Sequence, residues 1–386
     1  DSLHIGSLVP ILLLVHLQRA GHQPVALVGG ATGMVGDPSG KSAERNLLDE
    51  ASLAKNVAGI KAQLEKFLNF DPSKANKALM TNNYDWFKAI SFIDFLRDTG
   101  KHITVNYMMA KESVKKRIEG DAGISYTEFA YQLMQGYDFY WLYNNLNCKL
   151  QFGGSDQWGN MTTGTELIRR KSGGEAFVFT CPLITKADGG KFGKTESGNV
   201  WLDANRTTPY QFYQFWLNAS DADAVKWIKI FTFLDQVAIE EITAAHNQNP
   251  AARLLQKTLA KEVTTFVHGE DEYQKAIETT EKLFVNANAP AETLSADDLE
   301  NMEGVQKINF EKSKIESGID IVSFLADTTI FPSKGEAKKM IQGGGLSINR
   351  NKVDGLQVNI DNSLLLHDKY ILVQKGKKNY YLVICD

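Results

Sequence analysis

The chain has 386 residues, 43% hydrophobic and 23% charged, with a formal net charge of −4. This length supports two or three domains, and the composition is that of a folded protein, not a disordered or low-complexity one. No apolar run approaches the ~18 residues of a membrane span, so no membrane partner is expected. The charge is unevenly spread: Phe331 to Asp386 carries 9 Lys and Arg against 5 Asp and Glu, which leaves −8 on the rest. A basic tail on an acidic body suits an RNA partner. Cys148, Cys181 and Cys385 are scattered, with no C-x-x-C, so neither a disulfide framework nor a zinc site is expected; a reducing cytoplasm fits.

The sequence opens inside a motif, Leu3-His4-Ile5-Gly6-Ser7, without an initiator Met, and a preceding N-terminal segment is expected. Gly6 to Ala20 reads as a buried helix, with Pro10 tolerable near its first turn and Gly21 at its end. A helix entrance offers free N–H groups and the positive end of a dipole to an anion. There His4 can donate to a phosphate, and Gly6 leaves room for a nucleotide. Pro24 to Gly30 reads as a parallel strand running into a glycine-rich turn. Gly40-Lys41-Ser42 looks like the end of a P-loop. However, the G-x-x-x-x-G-K spacing falls on Val35, and Pro38 removes an amide from any anion nest.

Asp49 to Phe70 is helical and amphipathic, Tyr84 to Asn106 continues the α/β alternation, and Ala110 to Tyr143 is helical. Within it Tyr131, Gln135 and Asp138 stand at i, i+4 and i+7, on one helix face. A polar stripe facing inward suits a ligand better than a core. Leu150-Gln151-Phe152 is a strand leading into Gly153-Gly154-Ser155-Asp156-Gln157, and Phe177-Val178-Phe179 leads towards Lys191-Phe192-Gly193-Lys194-Thr195. Two ammonium groups and a hydroxyl on a glycine-flanked, mobile loop can stabilise departing pyrophosphate. Residues 1–206 are therefore expected to form a doubly wound, Rossmann-like α/β domain with a parallel sheet, its ligand at the carboxyl ends of the strands. Strands then stop: 207–286 reads as an all-α domain, 287–317 as an acidic linker, and 318–386 as a small α+β domain that resembles a ribosomal-protein-type RNA-binding domain. Lys334, Lys338, Lys339, Lys375, Lys377 and Lys378 are its candidate phosphate contacts, with Tyr380 and Tyr381 placed for base stacking.

The order and separation of the His4 and Lys191 motifs resemble the two signatures of class I aminoacyl-tRNA synthetases. Tyr131 to Asp138 and Gly153 to Asn160 narrow the resemblance to the bacterial-type tyrosyl-tRNA synthetases, over essentially the whole chain. The resemblance implies tyrosine activation by ATP with Mg2+, then transfer to tRNA(Tyr), by a homodimer with no metal site of its own. It implies a catalytic set of His4, Ser7, Lys41, Arg45, Lys191, Lys194 and Thr195, with Lys41 and Arg45 on a mobile loop that contacts pyrophosphate. Asp37, Tyr131 and Gln135 would bind the α-ammonium of tyrosine and Asp138 its phenol hydroxyl. Gln157 would lie near the carboxyl end, and Asn106 would orient the pocket. ATP would meet His4, Gly6, Gly154 and Lys194, with Asp156 on the ribose. Ser7 stands where the signature has its second His. The competing readings are a tryptophanyl-tRNA synthetase and an RNA-binding homologue without catalysis. Asp138 and the basic last domain count against the first; intact His4, Asp37, Asp138, Asp156, Lys191 and Lys194 count against the second.

Overall fold

Leu8, Ile11, Leu12 and Val15 are buried on one face of helix α1 (Leu8–Arg19). Pro10 lies in its first turn, where the missing N–H had no helical partner to lose. The computed structural model describes residues 2–37, 50–120, 123–190, 192–195, 198–285, 289–300, 302, 305–376 and 379–386. Strand β1 (Val25–Val28) is followed by α2 (Gly30–Val35) and α3 (Glu50–Phe67), then by β2 (Leu79–Asn82), which pairs with β1 in parallel. Helices α4 (Tyr84–Phe87), α5 (Phe92–Asp98), α6 (Val105–Met109) and α7 (Glu112–Ile118) lead to the long α8 (Tyr126–Leu146). Strand β3 (Leu150–Gly154), α9 (Trp158–Ser172) and β4 (Phe177–Cys181) form a second parallel unit, with Gly154 opposite Cys181. Helical crossovers between parallel strands are the doubly wound pattern expected from the sequence. Among the described residues these four strands form two separate pairs, each closed by its own crossover, and not one continuous ladder.

Helices α8 and α9 meet backbone to backbone. A Cβ on Gly136 would lie 2.9 Å from Thr163 Cγ2, and one on Gly164 would lie 2.8 Å from Phe139 Cβ. The two glycines therefore set the separation of these helices. The head of α8 carries a reciprocal cap, in which Ser125 Oγ accepts from the Glu128 amide and the Glu128 carboxylate accepts from the Ser125 amide. Glu128 is also paired with Arg117, at 2.6 and 2.8 Å, and both side chains are buried.

The chain divides into two compact units, Asp1–Thr207 with Asn218–Leu259, and Thr208–Leu217 with Ala260–Asp386. The helical segment 207–286 is thus shared between them. Strands β5 (Lys194–Thr195) and β6 (Gly198–Asn199) and, beyond α10 (Pro209–Leu217), the helices α11 (Asp221–Phe231) and α12 (Gln236–Gln248) belong to the first unit. Helix α13 (Leu254–His268) straddles the division, and α14 (Glu270–Thr280) belongs to the second. Aromatic packing accounts for the split: Tyr213 of α10 meets Tyr273 of α14 at 5.9 Å, whereas α11 turns its aromatics towards Phe192.

In the second unit β7 (Gln306–Phe310) precedes α15 (Lys312–Glu316), β8 (Ile319–Asp320), α16 (Ile321–Asp327) and α17 (Lys334–Gln342). Strands β9 (Leu346–Ile348), β10 (Asn351–Lys352), β11 (Asn359–Ile360), β12 (Tyr370–Lys375) and β13 (Asn379–Cys385) follow. The main sheet runs β10-β9-β12-β13-β7 over a core that includes Phe324, Phe331, Ile371 and Val383. Much of the stretch 287–317, expected as a linker, is packed. β7 is a sheet strand parallel to β13, and Arg350 donates to the carbonyls of Ala289 (2.8 Å) and Lys282 (2.5 Å). Ala291, Leu294, Leu299 and Met302 are buried; acidic residues interleaved among them conceal this apolar set in the sequence.

Candidate active site

Backbone hydrogen bonds join the two motifs that the sequence separates. His4 forms an antiparallel bridge with Trp201, the Ile5 amide donates to Val200 O at 3.0 Å, and the Leu202 amide donates to Leu3 O at 2.9 Å. Val200 in turn donates to Gly193 O at 3.0 Å. Gly193 has φ +79°, and a Cβ there would lie 3.0 Å from Ile5 Cγ1, so this crossing requires glycine twice over. His4 caps the turn Ile5–Ser7, its Nδ1 accepting from the Gly6 amide at 3.0 Å. In the neutral ring Nε2 then carries the proton and is the donor. A Cβ on Gly6 would lie 2.7 Å from His4 Cε1 and would push the ring out of this cap. His4, Gly6, Ser7, Gly154, Asp156 and Phe192 line one cavity of about 1230 Å³. That volume exceeds the several hundred Å³ usual for a small-molecule site.

The polar face of α8 meets partners from three other elements. Asp138 is 2% exposed; Asn83 Nδ2 donates to its Oδ2 and Trp86 Nε1 to its Oδ1, both at 3.0 Å. Burial pushes its carboxyl up to about 7, against the lowering effect of these two donors. Asn83 is itself held: its Oδ1 accepts from the Ala31 amide at 2.7 Å and its Nδ2 donates to Thr32 Oγ1 at 2.9 Å. Trp86 stacks on Trp141 at 4.3 Å. On the same side of α8, Gln135 Oε1 accepts from Asn160 Nδ2 at 2.9 Å, and that amide also reaches Asp37 Oδ1 at 3.4 Å. Gln157 Nε2 donates to Asp37 Oδ2 at 2.8 Å and to Asp156 Oδ2 at 3.1 Å. Asp37, Gln135, Asp156 and Gln157, read separately from the sequence, thus form one network. Tyr131 is buried one turn before Gln135 on α8.

Sequence reading missed Asn83, Trp86 and Asn160. The available signal was the polar run Asn82-Asn83-Tyr84-Asp85-Trp86 at the carboxyl end of β2, where doubly wound folds place ligands. Asn106 is exposed on α6 and, among the described residues, makes no side-chain hydrogen bond to this group. Lys41, Arg45, Lys191, Lys377 and Lys378 lie outside the described residues; Lys194 and Thr195 are placed by their backbone, paired with Asn199 and Gly198. In the second unit Lys338 and Lys339 are exposed on α17, while Lys334 is exposed and donates to Ser323 Oγ at 2.8 Å. Lys375 is half-buried, donates to Ile330 O at 3.0 Å and lies over the Phe331 ring. The stacking role expected of Tyr380 and Tyr381 is corrected: Tyr380 is buried with its hydroxyl on Leu283 O, and Tyr381 packs against the core. Adjacent on β13, the two rings face opposite sides of the sheet, and each side is covered, by Leu283 over Tyr380 and by the domain core over Tyr381.

Residues 1–285 match the family described as tRNA synthetases class I (W and Y), and residues 300–383 match the SYY-like C-terminal domain of tyrosine–tRNA ligase. The chain is 58% identical to the tyrosine–tRNA ligase of Bacteroides fragilis, covering 100% of this chain and 90% of that protein. It is 59% identical to the tyrosine–tRNA ligase of Porphyromonas gingivalis, covering 100% and 91%. Its structure resembles a C-terminally truncated Aspergillus nidulans mitochondrial tyrosyl-tRNA synthetase, with TM-score 0.65 and 30% identity over 73% of this chain and 82% of that one. A Giardia lamblia tryptophanyl-tRNA synthetase shares the fold at TM-score 0.52 and 13% identity, over 74% and 78%. Whole-length identity to tyrosine enzymes, together with the two family matches, places the chain in the tyrosyl-tRNA synthetase family of class I.

Proposed function

We propose that the chain is a tyrosine–tRNA ligase in which Asp138 recognises the phenol hydroxyl. The observation that carries this is Asp138 itself, a buried carboxylate with both oxygens oriented by fixed donors. The indole of tryptophan has no hydroxyl to offer such a group. Asp37, Gln135 and Tyr131 receive the α-ammonium. The tyrosine carboxylate then attacks the α-phosphorus of ATP; the new C–O–P anhydride forms as the bond to pyrophosphate breaks. His4 Nε2 donates to a phosphate oxygen, and Asp156 accepts the ribose hydroxyls beside Gly154. Lys194 and Lys191 stabilise the departing pyrophosphate. In the second step a ribose hydroxyl of the terminal tRNA adenosine attacks the activated carbonyl, and AMP leaves. Mg2+ accompanies ATP on its phosphates.

Lys194→Ala is expected to lower tyrosine-dependent ATP–pyrophosphate exchange by at least roughly tenfold, with the tyrosine KM little changed. A raised KM at normal kcat would make the lysine a binding group only. For the RNA step we favour Lys338 and Lys339, exposed on α17. Reversing both to Glu is expected to raise the tRNA KM by roughly tenfold or more and to leave adenylate formation intact; equal loss of both activities would contradict that split. The protein is read as a cytoplasmic homodimer. No helix among the described residues is long and apolar enough to cross a membrane. Phe92, Ile93 and Leu96 on α5 and Val105 and Met109 on α6 are exposed, Ile93 at 73%. Such an apolar face suits the self-complementary contact of a twofold dimer. A single-chain mass in sedimentation would remove this part of the reading.

A further inference from the structure

The loop that carries the second motif is held from one side by one helix. On α11, Asp223, Trp227 and Phe231 recur every fourth residue, so they share a face, and all three are buried. At the upstream end Asp223 Oδ1 accepts the Ala187 amide at 2.7 Å. At the downstream end the Phe192 ring stacks on Phe231 at 5.2 Å and meets Trp227 edge-on at 5.0 Å. The stretch just after Ala187 is tied mostly to itself: Lys186 donates to Gly190 O at 3.0 Å, and Gly190 donates to Asp188 Oδ1 at 2.8 Å. A turn closed on itself in this way has no position of its own and takes it from its anchors.

The helix is fixed on its other side. Arg253 donates to Ala219 O at 3.1 Å, Gln256 donates to Asp221 Oδ1 at 2.5 Å, and His246 Nε2 stands 3.2 Å from that same oxygen. Beyond Phe192, Gly193 O receives the Val200 amide, and Val200 O receives the amide of Ile5 beside His4. A continuous chain of fixed contacts therefore runs from α11 through the loop to the first motif.

We propose that α11 is the seat of the lysine loop and that Asp223 is a positioning residue for tyrosine activation, acting through the Ala187 amide. The proposal rests on the ligase reading, since it concerns where the loop's lysines stand relative to ATP. A purely structural role also has to be separated from it, because Asp223 is the third residue of α11 behind its cap Ser220, with Ser220 Oγ 2.8 Å from Asp223 Oδ2. Three variants and one control make the separation. Asp223→Asn keeps an acceptor for Ala187. Asp223→Glu keeps the charge and the capping role but moves the acceptor by one methylene. Asp223→Ala removes it. Asp235→Ala removes a comparable helix cap, the one over the Ala238 amide of α12, which the loop does not use.

The measurement is single-turnover tyrosyl-adenylate formation on the full chain, beside thermal unfolding of each variant. Asp223→Ala and Asp223→Glu should each slow adenylate formation roughly tenfold or more, with the tyrosine KM unchanged. Asp223→Asn should stay near wild type. Asp235→Ala should lose stability without losing rate. Wild-type rates in Asp223→Glu, or a loss of rate in every variant that follows its loss of stability, would overturn the proposal. An inactive wild-type protein would overturn the ligase reading, and the proposal with it. If Asp223→Ala does not fold, Asp223→Glu and Asp223→Asn still decide the matter.

Discussion

Asp138→Ala is expected to collapse discrimination between tyrosine and phenylalanine, read as the ratio of kcat/KM values in tyrosine- and phenylalanine-dependent pyrophosphate exchange. Rejection of phenylalanine by ~10⁵-fold is the established benchmark of this very enzyme family, not a figure obtained from these distances. The physical reason is visible in the site. Phenylalanine would bury against a carboxylate that is already cut off from water and would bring it no O–H, and the loss of one hydrogen bond to a buried charged group costs about 3 kcal/mol. That alone is about two orders of magnitude in rate ratio. With alanine at 138 neither substrate meets the penalty, and the ratio should fall by at least ~10²-fold. Retained discrimination would sink the assignment of Asp138. The same residue has a pH signature. Its folded-state carboxyl is raised to about 7 by burial, so between pH 4 and 7 the folded state holds a proton that the unfolded state has lost. The Asp138 contribution to stability therefore falls as pH rises through that window and levels off above it, by an amount on the order of a few kcal/mol. Urea unfolding at pH 5 and pH 8 tests this: the wild type should lose stability over that interval, and Asp138→Ala should lose clearly less.

Arg117→Ala should destabilise the protein by about 3–5 kcal/mol in urea unfolding, far more than the loss of a surface ion pair. The guanidinium meets Glu128 through two nitrogens at 2.6 and 2.8 Å, and its Nε donates to Gly123 O at 3.3 Å. The two side chains are 9% and 4% exposed. Removing the arginine strands a buried carboxylate at the head of α8, the helix that also carries Tyr131, Gln135 and Asp138. Arg117→Met with Glu128→Gln should recover much of the loss, because glutamine is neutral and still serves the cap on Ser125. If the double variant is no more stable than Arg117→Ala, the cost lies in the guanidinium's own hydrogen bonds, such as that to Gly123 O, and not in the orphaned charge.

The sequence made different parts of this molecule legible for different reasons. The parallel units were readable because β1 is an apolar run flanked by glycines, and α8 because its polar face repeats at helical spacing. Asp37, Gln135, Asp156 and Gln157 could each be named. Their joint network could not, because it depends on Asn160, whose amide reaches two of them from a different helix. Asn83 and Trp86 escaped for a similar reason: they act on Asp138 across the interior, and no local spacing encodes such a contact. The 287–317 stretch misled because its acidic residues are interleaved with the apolar ones that anchor it. Tyr380 and Tyr381 misled because aromatics near lysines look the same in sequence whether they face solvent or core.

On the reading proposed for Asp138, Gly136 and Gly164 bear on how substrate is selected. With the two helix backbones in direct contact, the gap between the face bearing Asp138 and the helix bearing Asn160 is fixed without any rotamer to adjust it. A pocket wall of that kind cannot relax around a wrong side chain, and it needs no rearrangement to receive the right one. Selectivity then comes at little entropic cost on binding, because the recognition geometry exists before the substrate arrives.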